Sequence, residues 1–315
     1  MRLSALYSLA ALRPHLKIAL RVPSALADVA RRAWPDRLEI ADRDLTTAIR
    51  MSHLGLRHLW PRMCRGERFI APFFQIQSAD RKVIKWKHRL NHLLIHAVKV
   101  TRALNIPTRH TLGDYQGFHE FSALPEFSEV DGEVFRRQAA IDFPVIRRRL
   151  HRIWPRAEDP PNELVVFPSG TGHQIMPPAW AQAHLPHALY AFHGTDKFQE
   201  AFKQASLEVV NFQSVDDLFA IAASARRILV TDSFPSHPIQ HYTPYALVAL
   251  TQQPRSRIVH PSFDGSVLDS AAACCPCSNR ARGYGPCDSG HEYCVSWASP
   301  AYTKNILGAL QSGLW

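Results

Sequence analysis

Residues 214–237 narrow the fold more than any other stretch of this chain. The run opens with Ser214, Asp216 and Asp217, and continues through Leu218, Ile221, Ala222 and Ala225 at helical spacing to Arg226 and Arg227. A hydroxyl at the cap, acids in the first turn and cations at the end are what a helix favours. Ile228-Leu229-Val230 follows. Such a short apolar run suits a parallel strand buried on both faces. Asp232-Ser233-Phe234-Pro235-Ser236-His237 then reads as a polar turn opening the next helix. Helix, buried strand and polar turn in that order predict an open α/β sheet, whose ligands bind at the carboxyl ends of the strands. By itself the turn is an ordinary connection, and the crowding of Asp232, Ser233 and His237 there points to a ligand.

A second candidate loop lies upstream. Leu164–Phe167 reads as a strand, followed by Pro168-Ser169-Gly170-Thr171-Gly172 and then His173-Gln174-Ile175-Met176-Pro177-Pro178. Glycines and small hydroxyls let backbone N–H groups approach a phosphate. Further strands are expected near Ala188–Phe192, Glu208–Val210, Ile228–Val230 and Ala246–Leu250, with helices between. This alternation predicts a parallel, doubly wound sheet. A last helix near Ala301–Leu310 is expected to pack back across a domain interface. Pro155–Asn162, with its prolines and charges, is the expected linker between domains 1–155 and 156–315.

The first half is less patterned. Leu3–Leu12 reads as a helix packed on a sheet, and Arg37–Ile40 and Phe69–Ile76 as strands. Leu90–Leu104 reads as an amphipathic helix carrying His92 and His96 one turn apart, without a carboxylate to complete a metal site. Gly113–Glu120 reads as an irregular loop.

Five of the six cysteines crowd into residues 274–294. Cys274, Cys277, Cys287 and Cys294 could hold tetrahedral zinc or iron, with Cys275 as a substitute ligand. Reduced thiols fit as well, and two disulfides would require an oxidising compartment. Four thiolates would leave no open position, so the site would be structural.

The chain has 315 residues, 46% of them hydrophobic, which is enough for two domains with real cores. No apolar run is long enough to span a bilayer. Arg13, His15, Lys17 and Arg21 interrupt what would otherwise resemble a signal peptide, so a cytoplasmic protein is expected. A net charge of +10 suits anionic partners. The basic runs 81–89 and Arg147–Arg149 with Arg152 read singly as solvated helix faces. No nucleic-acid-binding signature accompanies them.

Ser214–Leu218 with Asp232–His237 resembles the donor-binding segment of glycosyltransferase family 9, the ADP-heptose:lipopolysaccharide heptosyltransferase group. Phe234 stands where that family usually has glycine. Pro168–Pro178 resembles its phosphate loop, with Gln174 in place of a lysine and Met176 in place of a tryptophan. Cys274-x-Pro276-Cys277, Cys287 and Cys294 are similar to its cysteine tail. The resemblance implies a GT-B-like α/β fold, with two doubly wound Rossmann-type domains facing a cleft. It implies an inverting glycosyltransferase that needs no catalytic metal. The donor would be a nucleotide-diphospho-sugar such as ADP-heptose. The acceptor would be lipopolysaccharide core or another anionic glycan, reached by peripheral contact with the inner membrane. Ser169, Gly170, Thr171, Gly172 and Gln174 would face the diphosphate, and Asp232, Ser233 and His237 the sugar or diphosphate. Residues 1–23 match the family's first helix and the strand after it, so the N-terminal domain is expected to lack its first strand and the Gly-Asp loop that supplies the catalytic base. Asp42, Asp44 and Asp114 are available acids, but no motif assigns the base to any of them. A nucleotide-sugar-binding homologue without catalysis is the alternative, and a metal-dependent regulator or nucleic-acid binder is a third class.

Overall fold

The computed structural model describes residues 2–16, 18–20, 24–40, 49–51, 68–70, 104–105, 118, 127, 129–169, 175–273, 275 and 291–312. The basic run 81–89, His92, His96 and the three acids considered as a base lie outside them, as does the loop 113–120 except for Phe118. Compactness divides the chain between Asp142 and Phe143.

The first unit opens with helix α1 (Arg2–Ala11), buried from Ser4 to Ala10. The Tyr7 hydroxyl donates to the Asp36 carboxylate at 3.0 Å, and the Arg37 guanidinium lies 4.2 Å over the Tyr7 ring. Strand β1 (Ile18–Leu20) crosses through helix α2 (Ser24–Ala33) to β2 (Leu38–Ile40), which pairs with it in parallel. Strands β3 (Ile49–Met51), β4 (Arg68–Ile70) and β5 (Leu104–Asn105) form a second parallel sheet. Leu104 is therefore in a strand, where the apolar periodicity predicts the end of a helix. Local periodicity is a weaker signal than the ladder that Leu104 joins with Phe69.

Helix α3 (Gly132–Ile153) carries the boundary between the units, one residue before Pro144. Proline has no N–H to give to the preceding turn, so the helix ladder is interrupted where the packing partners change. Before the boundary, the buried Asp142 carboxylate accepts from Arg37 at 2.7 Å and from Gln138 at 3.1 Å. Beyond it, Trp154 stacks on Phe219 with ring centroids 4.2 Å apart and donates to Asp216 at 2.9 Å. The Tyr242 hydroxyl donates to the Trp154 carbonyl at 3.0 Å. Arg147 grips Asp264 through two bonds of 2.8 and 2.6 Å, which hold that carboxyl below its usual range. These bonds tie residues 143–154 to the second unit.

The second unit is built on six parallel strands. They are β6 (Asn162–Phe167), β7 (Leu189–His193), β8 (Glu208–Phe212), β9 (Ala225–Thr231), β10 (Ala246–Ala249) and β11 (Ser266–Leu268). Their order across the sheet is β11-β10-β9-β6-β7-β8. This is the dinucleotide-fold order 3-2-1-4-5-6 read from the other edge. The connections carry helices α4 (Pro178–His184), α5 (Gln199–Gln204), α6 (Val215–Ala223), α7 (Ser236–Tyr242) and α8 (Arg255–Ile258), and α9 (Pro300–Gln311) follows the last strand. Every residue of β10 is buried, as are Ile228, Leu229 and Val230 of β9. Each such aliphatic side chain contributes roughly 1.5–3 kcal/mol by leaving water.

The cap read at Ser214 is present. Its side chain accepts from Asp217 N at 3.1 Å, and the Asp217 carboxylate accepts from Ser214 N at 3.0 Å. The other end of that helix differs from expectation. Arg226 and Arg227 belong to β9, because Ala225 already pairs with Asn162 of β6 and Arg227 with Leu164. The cations bond elsewhere, Arg226 to Asp159 and Arg227 to the Leu310 carbonyl. Helix α9 is bonded within the second unit. Tyr302 donates to the Leu250 carbonyl at 2.7 Å, and Trp180 donates to Thr303 at 2.8 Å. Among the described residues no helix is long and apolar enough to cross a membrane.

Candidate functional site

The chain lays down β6, β7 and β8 toward one edge, then returns to place β9 on the other side of β6. Where the winding reverses, open parallel sheets bind ligands at the carboxyl ends of the strands. Phe167 of β6 pairs with Val230 of β9. Ser169 and Asp232, each two residues further on, therefore leave the sheet side by side on strands about 4.8 Å apart. Both loops singled out in the sequence start at this point.

Asp232 is 1% exposed. Its Oδ1 accepts from the Thr251 hydroxyl at 2.7 Å, and its Oδ2 accepts from the backbone N–H groups of Gln252 and Gln253, each at 2.7 Å. Burial pushes the carboxyl above its usual range, and the three donors pull against that shift. The side chain thereby fastens the end of β9 to the loop after β10. Ser233 is buried, and its carbonyl accepts from the Ser236 hydroxyl at 2.7 Å and from Ser236 N at 3.1 Å. His237 is half-buried on the first turn of α7, and its N–H donates to the Phe234 carbonyl at 3.1 Å. Between these buried neighbours Phe234 is 49% exposed.

Ser169 is half-buried, and its hydroxyl donates to Oδ2 of Asp196, which lies just beyond β7. The other oxygen of Asp196 accepts from Phe198 N at 2.9 Å. Asp196 thus links the loops after β6 and β7. Gly170, Thr171, Gly172 and Gln174 lie outside the described residues.

The cysteine tail reaches the same edge. The buried Cys294 thiol donates to the Thr251 carbonyl at 3.6 Å, which also accepts from Ser270 at 2.6 Å. Ser270 and Ser296 share a bond of 2.9 Å. Among the described residues no group of three or more His, Cys, Asp or Glu side chains is placed to hold a metal. Cys274, Cys277 and Cys287 lie outside the described residues.

Asp196, Thr251, Ser270 and Ser296 complete this edge and are not singled out by the sequence reading. The signal for two of them was positional. Asp196 and Thr251 follow expected strands by a few residues, and in a parallel sheet that is where site residues gather. Ser270 and Ser296 are brought in by chain reversals that no local pattern announces.

No family model matches the chain, and no curated protein matches its sequence. Among solved structures, E. coli ADP-heptose LPS heptosyltransferase II is similar to it, with a TM-score of 0.53 at 12% identity. The match covers 99% of this chain and 94% of that one. The chain has the GT-B-like α/β fold of that heptosyltransferase.

Proposed function

We propose that the second unit binds a nucleotide-diphospho-sugar where β6 and β9 adjoin, and that the protein is an inverting glycosyltransferase. The observation that carries the reading is the side-by-side exit of the Ser169 and Asp232 loops at the reversal of the sheet. Ser169, Gly170, Thr171, Gly172 and Gln174 would hold the diphosphate, and Ser233 and His237 would contact the diphosphate or the sugar. Asp232 acts as a positioning residue, because both of its oxygens are engaged in holding the loop after β10. Asp196 orients the Ser169 hydroxyl.

The fold likeness supports ADP-heptose as donor and a lipopolysaccharide-type glycan as acceptor, and the net charge of +10 suits an anionic acceptor. An acceptor hydroxyl attacks the anomeric carbon, the bond to the diphosphate breaks, and a base takes the hydroxyl proton. Cys274, Cys277, Cys287 and Cys294 would form a structural metal site apart from this chemistry.

The test is transfer. Purified protein is incubated with ADP-heptose and heptose-deficient lipopolysaccharide, and products are read by mass spectrometry. One added heptose of inverted anomeric configuration, lost in Ser169→Ala, is the expected outcome. Donor binding with no transfer to any glycan would overturn the enzymatic reading and leave a nucleotide-sugar-binding protein.

A further inference from the structure

We infer that the groove between α4 and α9 of the second unit binds a free single-chain carboxylate, with its acyl chain on the apolar base and its head group at Lys304. The inference stands apart from the donor site, since no described residue that lines the groove belongs to the loops after β6 and β9.

The groove has a volume of about 970 Å3. Small-molecule sites usually enclose roughly 300–1,000 Å3. At its base lie Trp180 of α4 and Trp297, which precedes α9, with ring centroids 5.0 Å apart. Leu268 at the end of β11 and Leu307 of α9 stand half-buried beside them. Neither indole N–H is offered to a ligand. Trp180 gives its own to Thr303 at 2.8 Å, and that of Trp297 is sealed from solvent without a partner. The base therefore suits hydrocarbon.

Gly308 keeps this space open. It lines the groove one helical turn after Lys304, on the same face of α9. Glycine is a poor helix former, and inside a helix it is commonly explained by close packing. Here an added Cβ would meet nothing within 4 Å. No neighbour requires the position to be small, and the room above it belongs to the groove.

Charge then selects the head group. Among the described lining residues Lys304 is the one lysine, arginine, aspartate or glutamate, and it is exposed. His184 turns its ring to Trp180, with centroids 4.9 Å apart. Asp269, next to Leu268, is held by Arg255 at 3.0 Å. An apolar base with one cation at the rim complements an amphiphile whose single charge is negative. A cationic amphiphile would face Lys304 unfavourably. A polyanion such as a sugar phosphate would find one cation and no donor at the base. A carboxylate on an acyl chain is matched in both parts.

Isothermal titration of the full chain with monomeric dodecanoate tests this, comparing wild type, Gly308→Leu and Lys304→Gln. Both positions are exposed and leucine is the better helix former, so both variants are expected to fold, which circular dichroism checks. Wild type should bind one dodecanoate and prefer it to dodecyltrimethylammonium. Decanoate, shorter by two methylenes, should bind roughly tenfold more weakly. Gly308→Leu fills the groove and should weaken dodecanoate at least roughly tenfold. Lys304→Gln should weaken it roughly two- to fivefold and erase the preference over the cation. A folded Gly308→Leu that binds as wild type does, or a wild type that binds the cationic chain equally well, would overturn the assignment. So would a wild type that takes up no dodecanoate and associates only with phosphatidylglycerol vesicles, which would make the occupant a membrane surface. Nucleotide-induced thermal shifts should be the same in Gly308→Leu as in wild type, so failure of the donor site and failure of this groove are read separately.

Discussion

The Asp232 carboxylate and the Thr251 hydroxyl meet at 2.7 Å, joining the carboxyl ends of two neighbouring parallel strands. The same carboxylate takes two backbone N–H groups from residues 252 and 253. One side chain therefore sets the geometry of the loops after β9 and β10 together.

This arrangement separates a role in bonding from a role in charge. In Asp232→Asn the amide oxygen can still accept the two N–H groups, and the NH2 can donate to Thr251. Asp232→Ala leaves those groups without an acceptor, at a cost of about 1–3 kcal/mol for each buried one. The asparagine variant is expected to keep most of its thermal stability and nucleotide binding, and the alanine variant to lose both. Thr251→Val should fall between them. Thermal melts of the three variants check the order.

Arg37 and Asp142 offer a second test, in the first unit. Asp142 is 1% exposed, and Arg37 is its cationic partner at 2.7 Å. Arg37→Met strands a buried carboxylate, which costs roughly 3–5 kcal/mol. Urea unfolding should show the loss. Arg37→Met with Asp142→Leu should recover much of it, since a buried ion pair can be replaced by apolar groups at little cost.

His260 makes stability depend on pH. It is buried beside Phe143 at 4.7 Å and His241 at 5.0 Å, and its Nδ1 accepts from Ser262 N at 3.2 Å. Burial depresses its pKa to about 3 from 6.5. Above pH 6.5 the ring is neutral whether the chain is folded or unfolded, and stability is full. As pH falls from 6.5 toward 3 only the unfolded chain takes up the proton, so stability drops by about 1.4 kcal/mol per pH unit from this group. His241 is also depressed, chiefly by burial, and adds to the slope in the same direction. His260→Asn should flatten the fall in urea midpoint between pH 6 and 4.

Ser169 and Asp196 carry a fourth expectation. Asp196→Ala removes the acceptor that orients the Ser169 hydroxyl and the cap on Phe198 N. Asp196→Asn keeps an acceptor for one of them. Nucleotide affinity should fall more in the alanine variant, by roughly tenfold if about 1.4 kcal/mol of preorganisation is lost.

The sequence carried much of the second unit because its signals were local. The Ser214 cap with Asp217 is a four-residue pattern, and the run Ile228–Val230 is the short apolar stretch that a parallel strand buried on both faces favours. The α/β alternation then left few topologies. What was not legible depended on distant pairing. Arg226 and Arg227 suited a helix end by charge, yet the ladder with β6 placed them in a strand. β11 is three residues long, with no fully buried position to mark it. At the site, Asp232 was visible as an acid at a strand end, but its partners Thr251, Gln252 and Gln253 come from the neighbouring strand.

The central claim is a working donor site between the loops after β6 and β9. Thermal-shift binding of the purified chain against ADP, GDP, UDP and their sugar conjugates tests it most directly, with Ser169→Ala and Asp232→Ala as controls. A nucleotide at about a hundred times its Kd stabilises the fold by roughly 2.7 kcal/mol, which is readily seen in a melt. Selective stabilisation by one nucleoside diphosphate and its sugar conjugate, reduced in both variants, is the result this account predicts. A folded wild-type protein whose melting temperature no nucleotide moves would contradict it.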